Sequence, residues 1–568
     1  MGESSREAVP RQRAIVTLMA LSIAMIAFLT YVRILGYLFT ATDTLTLIET
    51  SRVQSPKDLI GILTQPLMAG TQFSEATRVY RPISSLSYAL DYFVWRLNPF
   101  GYHLTDLTLH MLVSVFAFLL MWFLTGGRKG IAWVSAAVFT SHPILVESVP
   151  AIARRQDIIA ALFLVLSLIM FLNVAARARR GNWSLIGSVL AYALALGAKE
   201  SAILLPLIIC GYLLVFSSPN GNEDRPVGVG AFRSLRPCLP YLAVTAVYLV
   251  WRIYVLRSIG GNLHPPAGFS EVIRLSGSTF KSYFLDLLYP VALRVVEPKV
   301  ITQAGSSLVA ISLLLIFLPV CTKGALMNVR HSSDRMTLKA CLVEGLNQLK
   351  RLLTGTSTGR IVVFLLIWLL APLGLFLATR TFSHRNMYIS VIPFSAILSI
   401  ALVEGLRLDV RKLRREQPAT GSSWLVYAAN GSLVVASGLI IYLLCFSPIV
   451  RDYGEWKDSG EISSVVLHRL SQAITDLPDR STIHIYDLPV GIATYQTKIP
   501  HAKSVSYLTD YTIKSWLDLT DPDNRIDVVV ENRTVLPTYP RDIDLKITIE
   551  PNNNVGITIT SDENHATR

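Results

Sequence analysis

Long apolar runs broken by short polar clusters fill the first 450 residues, and the pattern changes after Val450. A bilayer core about 30 Å thick needs roughly 20 apolar helical residues, since each adds about 1.5 Å. That measure predicts spans over 14–39, 103–125, 130–141, 156–175, 183–198, 201–217, 237–256, 303–321, 361–379, 387–405 and 424–447. The window 130–141 is short, and its helix is expected to continue toward Val149. Segment 273–296 is amphipathic and broken by Pro290, which predicts a re-entrant hairpin or an outer-interface helix instead of a span. In the first outer loop, 40–102, the aromatic-rich stretch Tyr80–Leu97 has Pro82 near its start and reads as an interfacial helix. Beyond Val450, a helix near 461–476 and alternating segments at 481–486, 526–530 and 544–549 predict strands.

Composition agrees with this pattern. Hydrophobic residues make up 52% of the 568-residue chain and charged ones 16%, against about a quarter charged in soluble domains. The fold class is a polytopic α-helical membrane protein with about 11 transmembrane helices over 1–450, and a small C-terminal α+β domain over 451–568. The net charge of +13 does not mark a nucleic-acid partner, because Lys and Arg gather in short loops rather than in a groove with interleaved aromatics. With a cytoplasmic N-terminus, the basic loops at 128–129, 177–180, 225–236, 323–360 and 407–415 all fall inside. The C-terminal domain then lies outside, and 14–39 is an uncleaved anchor rather than a signal peptide. Cys210, Cys238, Cys321, Cys341 and Cys445 show neither zinc spacing nor a disulfide framework.

With this topology, ionisable side chains collect at the outer face: Asp43, Glu49, Arg81, Asp91, His103, His142, Glu147, Arg154, Arg155, Asp157, Lys199, Glu200, His384 and Arg385. Charge at membrane depth is costly and persists where it binds something or is paired. Convergence from many segments is what one surface cavity requires; the plain alternative is unrelated helix-end charges snorkelling to the interface. Internal pairing, of Arg155 with Asp157 or Glu147 and of Lys199 with Glu200 or Asp91, is the competing role for the cations.

Several segments, taken in order, resemble the GT-C glycosyltransferases, and most closely the transmembrane and tetratricopeptide-repeat-containing O-mannosyltransferase group. They are Tyr80-Arg81-Pro82 through Asp91-Tyr92, Asn98-Pro99-Phe100-Gly101-Tyr102-His103-Leu104-Thr105-Asp106, and His142-Pro143 through Glu147-Ser148. Arg155-Gln156-Asp157, Ala198-Lys199-Glu200-Ser201 and His384-Arg385-Asn386-Met387-Tyr388 complete the set. The chain departs from that group in three ways. Thr42-Asp43 stands where an acidic pair is usual, Arg154 replaces a small residue, and 451–568 shows no tetratricopeptide repeats.

The resemblance implies transfer of a sugar, a hexose such as mannose, from a polyprenyl-phosphate donor to an acceptor hydroxyl outside the cytoplasm. Asp43 would be the base of an inverting displacement. Arg81, Arg155, Lys199 and Arg385 would face the lipid phosphate, with His142 and His103 able to bond sugar or phosphate. Asp91, Glu147, Asp157, Glu200 and Tyr388 would support them, Tyr388 as a cavity wall or a belt aromatic. The carboxylates could hold a divalent ion, but no spacing enforces one, so no metal and no cofactor are expected. Partners are then membrane lipids, the lipid-linked sugar and a protein or glycan acceptor. The cysteine placement and absent repeats point to a prokaryotic plasma membrane. A glycolipid transporter or flippase, or a non-catalytic glycolipid-binding assembly protein, are the other readings. A transporter would show internal repeats and midplane polar groups, which are not evident here.

Overall fold

The computed structural model describes residues 3–39, 43–176, 181–216, 235–258, 269–288, 357–379, 384–407, 437–445, 447–450, 454–474, 482–486, 488–492, 508–520, 527–530, 533–536, 543–549 and 555–561. Helix α1 (Glu3–Tyr31) passes into a 3-10 turn at Val32–Gly36 and then extended backbone. The loop that follows carries α2 (Thr44–Thr50), α3 (Pro56–Thr64), α4 (Gln72–Thr77) and α5 (Pro82–Trp95). Pro82 begins α5 where a helix needs no N–H and φ is already helical. Next come α6 (Pro99–Leu124), α7 (Lys129–Thr140), α8 (Arg155–Ala176), α9 (Gly181–Ala198) and α10 (Leu205–Phe216). They are followed by α11 (Leu239–Leu256), α12 (Phe269–Leu288), α13 (Ser357–Thr379) and α14 (Tyr388–Arg407).

Among the described residues, five segments are long and apolar enough to cross a membrane: Gln12–Gly36, Pro99–Leu124, Ile152–Ala175, Arg236–Leu256 and Ser357–Leu377. Shorter apolar helices run over Lys129–Thr140, Trp183–Ala198, Glu200–Phe216 and Tyr388–Val403. The expected span 303–321 lies outside the described residues, and of 424–447 only 437–445 is described as helix.

One expectation needs correction. Helix α7 does not run on toward Val149. It stops at Thr140, and His142 is extended (φ −63°, ψ 127°), because Pro143 disfavours helical backbone at the residue before it. A 3-10 turn at Pro143–Glu147 follows. Of the amphipathic segment expected at 273–296, the described part is the 20-residue α12, which starts at Phe269, and the rest lies outside the described residues. That helix buries Tyr283, Phe284, Leu287 and Leu288 and packs on α13.

After Val450 come α15 (Gly454–Ile474), β1 (Thr482–Tyr486), β2 (Leu488–Ile492), α16 (Asp510–Thr520) and β3 (Asp527–Val530). Strands β4 (Arg533–Leu536), β5 (Ile543–Ile549) and β6 (Val555–Ser561) complete the described part. Four strands pair in the order β3-β1-β6-β5, parallel except for β5 against β6. Parallel neighbours cannot be joined by a tight turn, and α16 lies in the connection that brings β3 beside β1.

Two apolar cores organise the described residues. The larger lies among the membrane helices, around Phe118, Phe139, Leu164, Tyr192, Trp368 and Tyr388. The second crosses the boundary near residue 450: Leu45, Ile48, Tyr88, Tyr102 and Ile152 share it with Ile462, Leu470, Ile513 and Leu517. The helices between the first two membrane segments and the C-terminal helices therefore pack on each other. At that seam a Cβ on Gly460 would lie 3.1 Å from the Leu38 carbonyl oxygen, so α15 approaches the end of the first membrane segment without a side chain between them.

Candidate functional site

The ionisable residues singled out by sequence form two kinds of cluster. In the enclosed kind, Arg155 opens α8 and is fully buried. Its Nη1 lies 2.6 Å from Asp91 Oδ2 of α5, its Nε pairs with Asp106 of α6, and its Nη2 donates to the Tyr102 carbonyl at 3.0 Å. The guanidinium also stands over the rings of Tyr88 and Tyr102, 4.9 and 5.9 Å from their centroids. Tyr88 in turn donates to the Ile152 carbonyl at 2.7 Å. Asp91 accepts from Thr105 at 2.8 Å. Burial pushes the Asp91 carboxyl above its ordinary range, and Arg155 opposes that rise. Beside this group, Lys199 pairs with Asp157 from the first turn of α8 and donates to Asn386 Oδ1 at 2.7 Å. Lys199 reaches there because its own backbone is extended (φ −155°, ψ 137°) between α9 and the Glu200–Leu204 turn.

The open kind is Arg81 with Glu200. Two parallel bonds join them, Nη2 to Oε1 at 2.6 Å and Nε to Oε2 at 3.0 Å. The Arg81 side chain is 14% exposed and that of Glu200 35%. Burial works against the Arg81 charge, but Glu200 outweighs it and holds the guanidinium above its usual proton affinity. Among the described residues, Arg81 Nη1 has no partner. Arg252, inside α11, lies 4.0 Å from Glu200 and donates to Tyr248 at 3.1 Å. Trp251 donates to the Tyr80 hydroxyl at 2.9 Å. A second accessible pair, Arg154 with Glu147, closes the turn before α8: Arg154 Nη1 reaches Glu147 Oε2 at 2.8 Å and its carbonyl at 2.6 Å.

The pairings thus differ from those expected. Arg155 takes Asp91 and Asp106 rather than Asp157 or Glu147, while Lys199 takes Asp157 rather than Glu200 or Asp91.

Asp43 lies at the N-terminus of α2, and its side chain does not cap that helix. Instead, Oδ1 accepts a 2.8 Å hydrogen bond from Tyr511 of α16. Among the described residues, Asp43 is not ion-paired with Arg81, Arg155 or Lys199. Helix α2 packs against α5 and against the Ile152–Arg154 turn, the segments that carry Asp91 and lead into Arg155. Next to this junction is a cleft of about 270 Å³, walled by Leu38, Phe39, Leu45, Ser463, Thr512 and Trp516, among others.

The remaining predicted residues are placed as follows. His142 Nε2 donates to the Leu287 carbonyl at 3.1 Å and its Nδ1 accepts from the Ile144 N–H at 3.3 Å, so both ring nitrogens are engaged within the protein. His103 is buried with Nε2 3.4 Å from the Leu38 carbonyl, and Nδ1 finds no partner among the described residues. Tyr388 is not a belt aromatic. It is buried in the helix core, its hydroxyl 2.6 Å from His110 Nδ1. His384 and Arg385 begin a 3-10 turn, but their side chains fall outside what the structure describes. Among the described residues, no group of three or more His, Cys, Asp or Glu side chains gathers as metal binding would require.

Sequence reasoning missed Asp106 as the second partner of Arg155, His110, Arg252 and Tyr511. The first three carried a signal: each is an ionisable group inside an apolar window. Tyr511 carried none of its own: Ile513, Trp516 and Leu517 repeat at helical spacing and mark α16, but not the bond to Asp43.

The protein is a multi-pass membrane protein, and its relatives are glycosyltransferases by name. It is similar to Protein O-mannosyl-transferase Tmtc1 of Drosophila melanogaster, 29% identical over 202 residues that cover 35% of this chain and 23% of that protein. It is similar to Protein O-mannosyl-transferase TMTC2 of Homo sapiens, 32% identical over 134 residues that cover 23% of this chain and 16% of that protein. The matches therefore span less than a quarter of the length of these curated relatives. They bear out the resemblance seen in the sequence. No family model matches the chain. Among solved structures, the archaeal oligosaccharyltransferase AglB from Archaeoglobus fulgidus, in complex with an inhibitory peptide and a dolichol-phosphate, aligns at TM-score 0.44. It is 12% identical, over 93% of this chain and 65% of that one. ArnT from Cupriavidus metallidurans, bound to undecaprenyl phosphate, aligns at TM-score 0.43, also 12% identical, over 91% and 89% of the two chains.

Proposed function

We propose that this protein is a GT-C type membrane glycosyltransferase that moves a hexose such as mannose from a polyprenyl phosphate to an acceptor hydroxyl. In this reading the N-terminus is cytoplasmic and about 11 helices span a prokaryotic plasma membrane. The reaction occurs on the outer side, where 451–568 forms a small α+β domain. The acceptor is a protein or a glycan, and neither metal nor cofactor takes part.

The acceptor oxygen attacks the anomeric carbon, and Asp43 takes the hydroxyl proton as the new bond forms. The bond from that carbon to the phosphate oxygen breaks on the opposite face, so the configuration inverts. The lipid phosphate leaves with the electron pair, and its growing charge needs fixed cations. Arg81 suits that contact: it is partly exposed, held flat by Glu200, and has an amino group to spare. Lys199 and Arg385 are further contacts from adjoining segments. Arg155 has a different task in this reading. Its charge is already shared between two carboxylates and none of it reaches solvent, so it ties the start of α8 to α5 and α6 rather than touching phosphate.

One observation carries the proposal: Asp43 leaves its own helix uncapped and sits on the helix that packs against the Arg81–Asp91 and Ile152–Arg155 segments. The test is to incubate purified protein in detergent with a panel of polyprenyl-phosphate sugars and a serine- and threonine-rich peptide, following release of polyprenyl phosphate. Asp43→Asn is expected to lower turnover by about 100-fold or more while donor binding persists. Full turnover in that variant refutes the assignment of the base, and no turnover of any donor by the wild type refutes sugar transfer.

A further inference from the structure

The C-terminal domain does more than dock. We infer that Tyr511 is a positioning residue for the Asp43 carboxylate, so that the domain beyond residue 450 completes the active site. The inference rests on the reading of Asp43 as base and adds a residue that this reading does not supply.

An aspartate at a helix N-terminus ordinarily turns back to accept from its own backbone N–H groups, which fixes its orientation locally. Asp43 does not do this. Its only side-chain bond among the described residues comes from Tyr511, 468 positions later in the chain. Tyrosine suits the task because its hydroxyl sits on a stiff ring with only two side-chain torsions. The helix that presents Tyr511 is itself held to α2 by a polar relay. Thr46 donates to the Tyr511 carbonyl at 3.3 Å, and the single Ser515 hydroxyl proton has two acceptors in reach, Thr46 Oγ1 at 3.0 Å and the same carbonyl at 2.8 Å. Thr46 and Ser515 are buried, and Ile513 and Leu517 of the same helix belong to the second apolar core.

The bond engages Oδ1 alone. Among the described residues Oδ2 accepts nothing, and Asp43 is only half-buried. One oxygen is therefore anchored while the other is available to take a proton. Helix α16 also contributes Thr512 and Trp516 to the wall of the neighbouring cleft, so Asp43 is held by the same helix that shapes the space beside it.

The test is a double-mutant cycle with Tyr511→Phe and Asp43→Asn, using undecaprenyl-phosphate mannose and the same peptide, with hydrogen exchange of residues 43–50 measured in parallel. Tyr511→Phe keeps the ring and removes only the donor. It is expected to lower kcat by about 10- to 100-fold, with KM for the lipid within twofold and the unfolding midpoint unchanged. In the Asp43→Asn background the same substitution should cause no further loss, because a group that acts through Asp43 has nothing left to position. Exchange over 43–50 should be faster in Tyr511→Phe.

The inference is overturned if Tyr511→Phe leaves kcat and the exchange of 43–50 as in the wild type, or if the two losses multiply. Those results leave Asp43 as base intact. Undiminished turnover in Asp43→Asn, by contrast, removes the base and the positioning role together.

Discussion

Arg155 and Arg81 stand at the starts of neighbouring helices and each faces carboxylates, yet the two guanidiniums are electrostatically unlike. Arg155 and Asp106 are wholly enclosed, with Asp91 nearly so, whereas over a third of the Glu200 side chain meets solvent. Taking charges out of water costs several kcal/mol per ion, and only close, well-bonded partners offset it. The enclosed triad therefore serves as a structural joint between three helices. The open pair loses less by desolvation and keeps donors that a ligand can use. Sequence motifs place both arginines in one constellation; burial separates their tasks.

The largest way to break this contrast is Arg155→Met, which strands Asp91 and Asp106 together in the interior. Breaking such a group by removing one partner costs about 3–5 kcal/mol, so the unfolding midpoint in detergent should fall sharply. Replacing Asp91 and Asp106 by Asn in the same protein should recover much of that stability in the same scan.

Arg81→Ala should do the opposite. Loss of a partly exposed pair costs about 1 kcal/mol or less, while KM for the lipid-phosphate donor should rise about tenfold, or 1.4 kcal/mol. Comparing KM with the unfolding midpoint in the two arginine variants separates binding from scaffolding.

A smaller effect of pH sharpens the comparison at the domain seam. Burial raises the Glu49 carboxyl above its ordinary 4.5, nearby Asp518 raises it further, and Arg52 and Lys514 oppose both. The folded protein then holds that proton more tightly than the unfolded chain, so this contribution is complete below the ordinary glutamate range. It is lost as pH rises through the elevated value. Hydrogen exchange of 510–520, corrected for intrinsic rates, should show protection falling over that interval. Glu49→Gln should flatten the dependence.

The membrane character and most helix positions were legible in the chain because apolar runs of bilayer length leave few other structures possible. Where charge gathers was legible too, since Arg155, Lys199 and Glu200 interrupt or flank those runs and Arg81 opens an aromatic-rich interfacial stretch. Their pairing was not. Asp106 meets Arg155 across 49 positions and Arg81 meets Glu200 across 119, and such contacts depend on helix rotation that no local pattern encodes. The stop of α7 was readable from Pro143, but the short apolar window invited an extension past it. Tyr511 lay hidden because a tyrosine on a short amphipathic helix reads as packing until its neighbour is known.

Gly460 carries a mechanical consequence. With no side chain between them, α15 rests directly on the Leu38 backbone at the end of the first membrane segment. Any side chain at position 460 would therefore push α15 off that segment, and α15 shares its apolar core with α16, the helix that carries Tyr511.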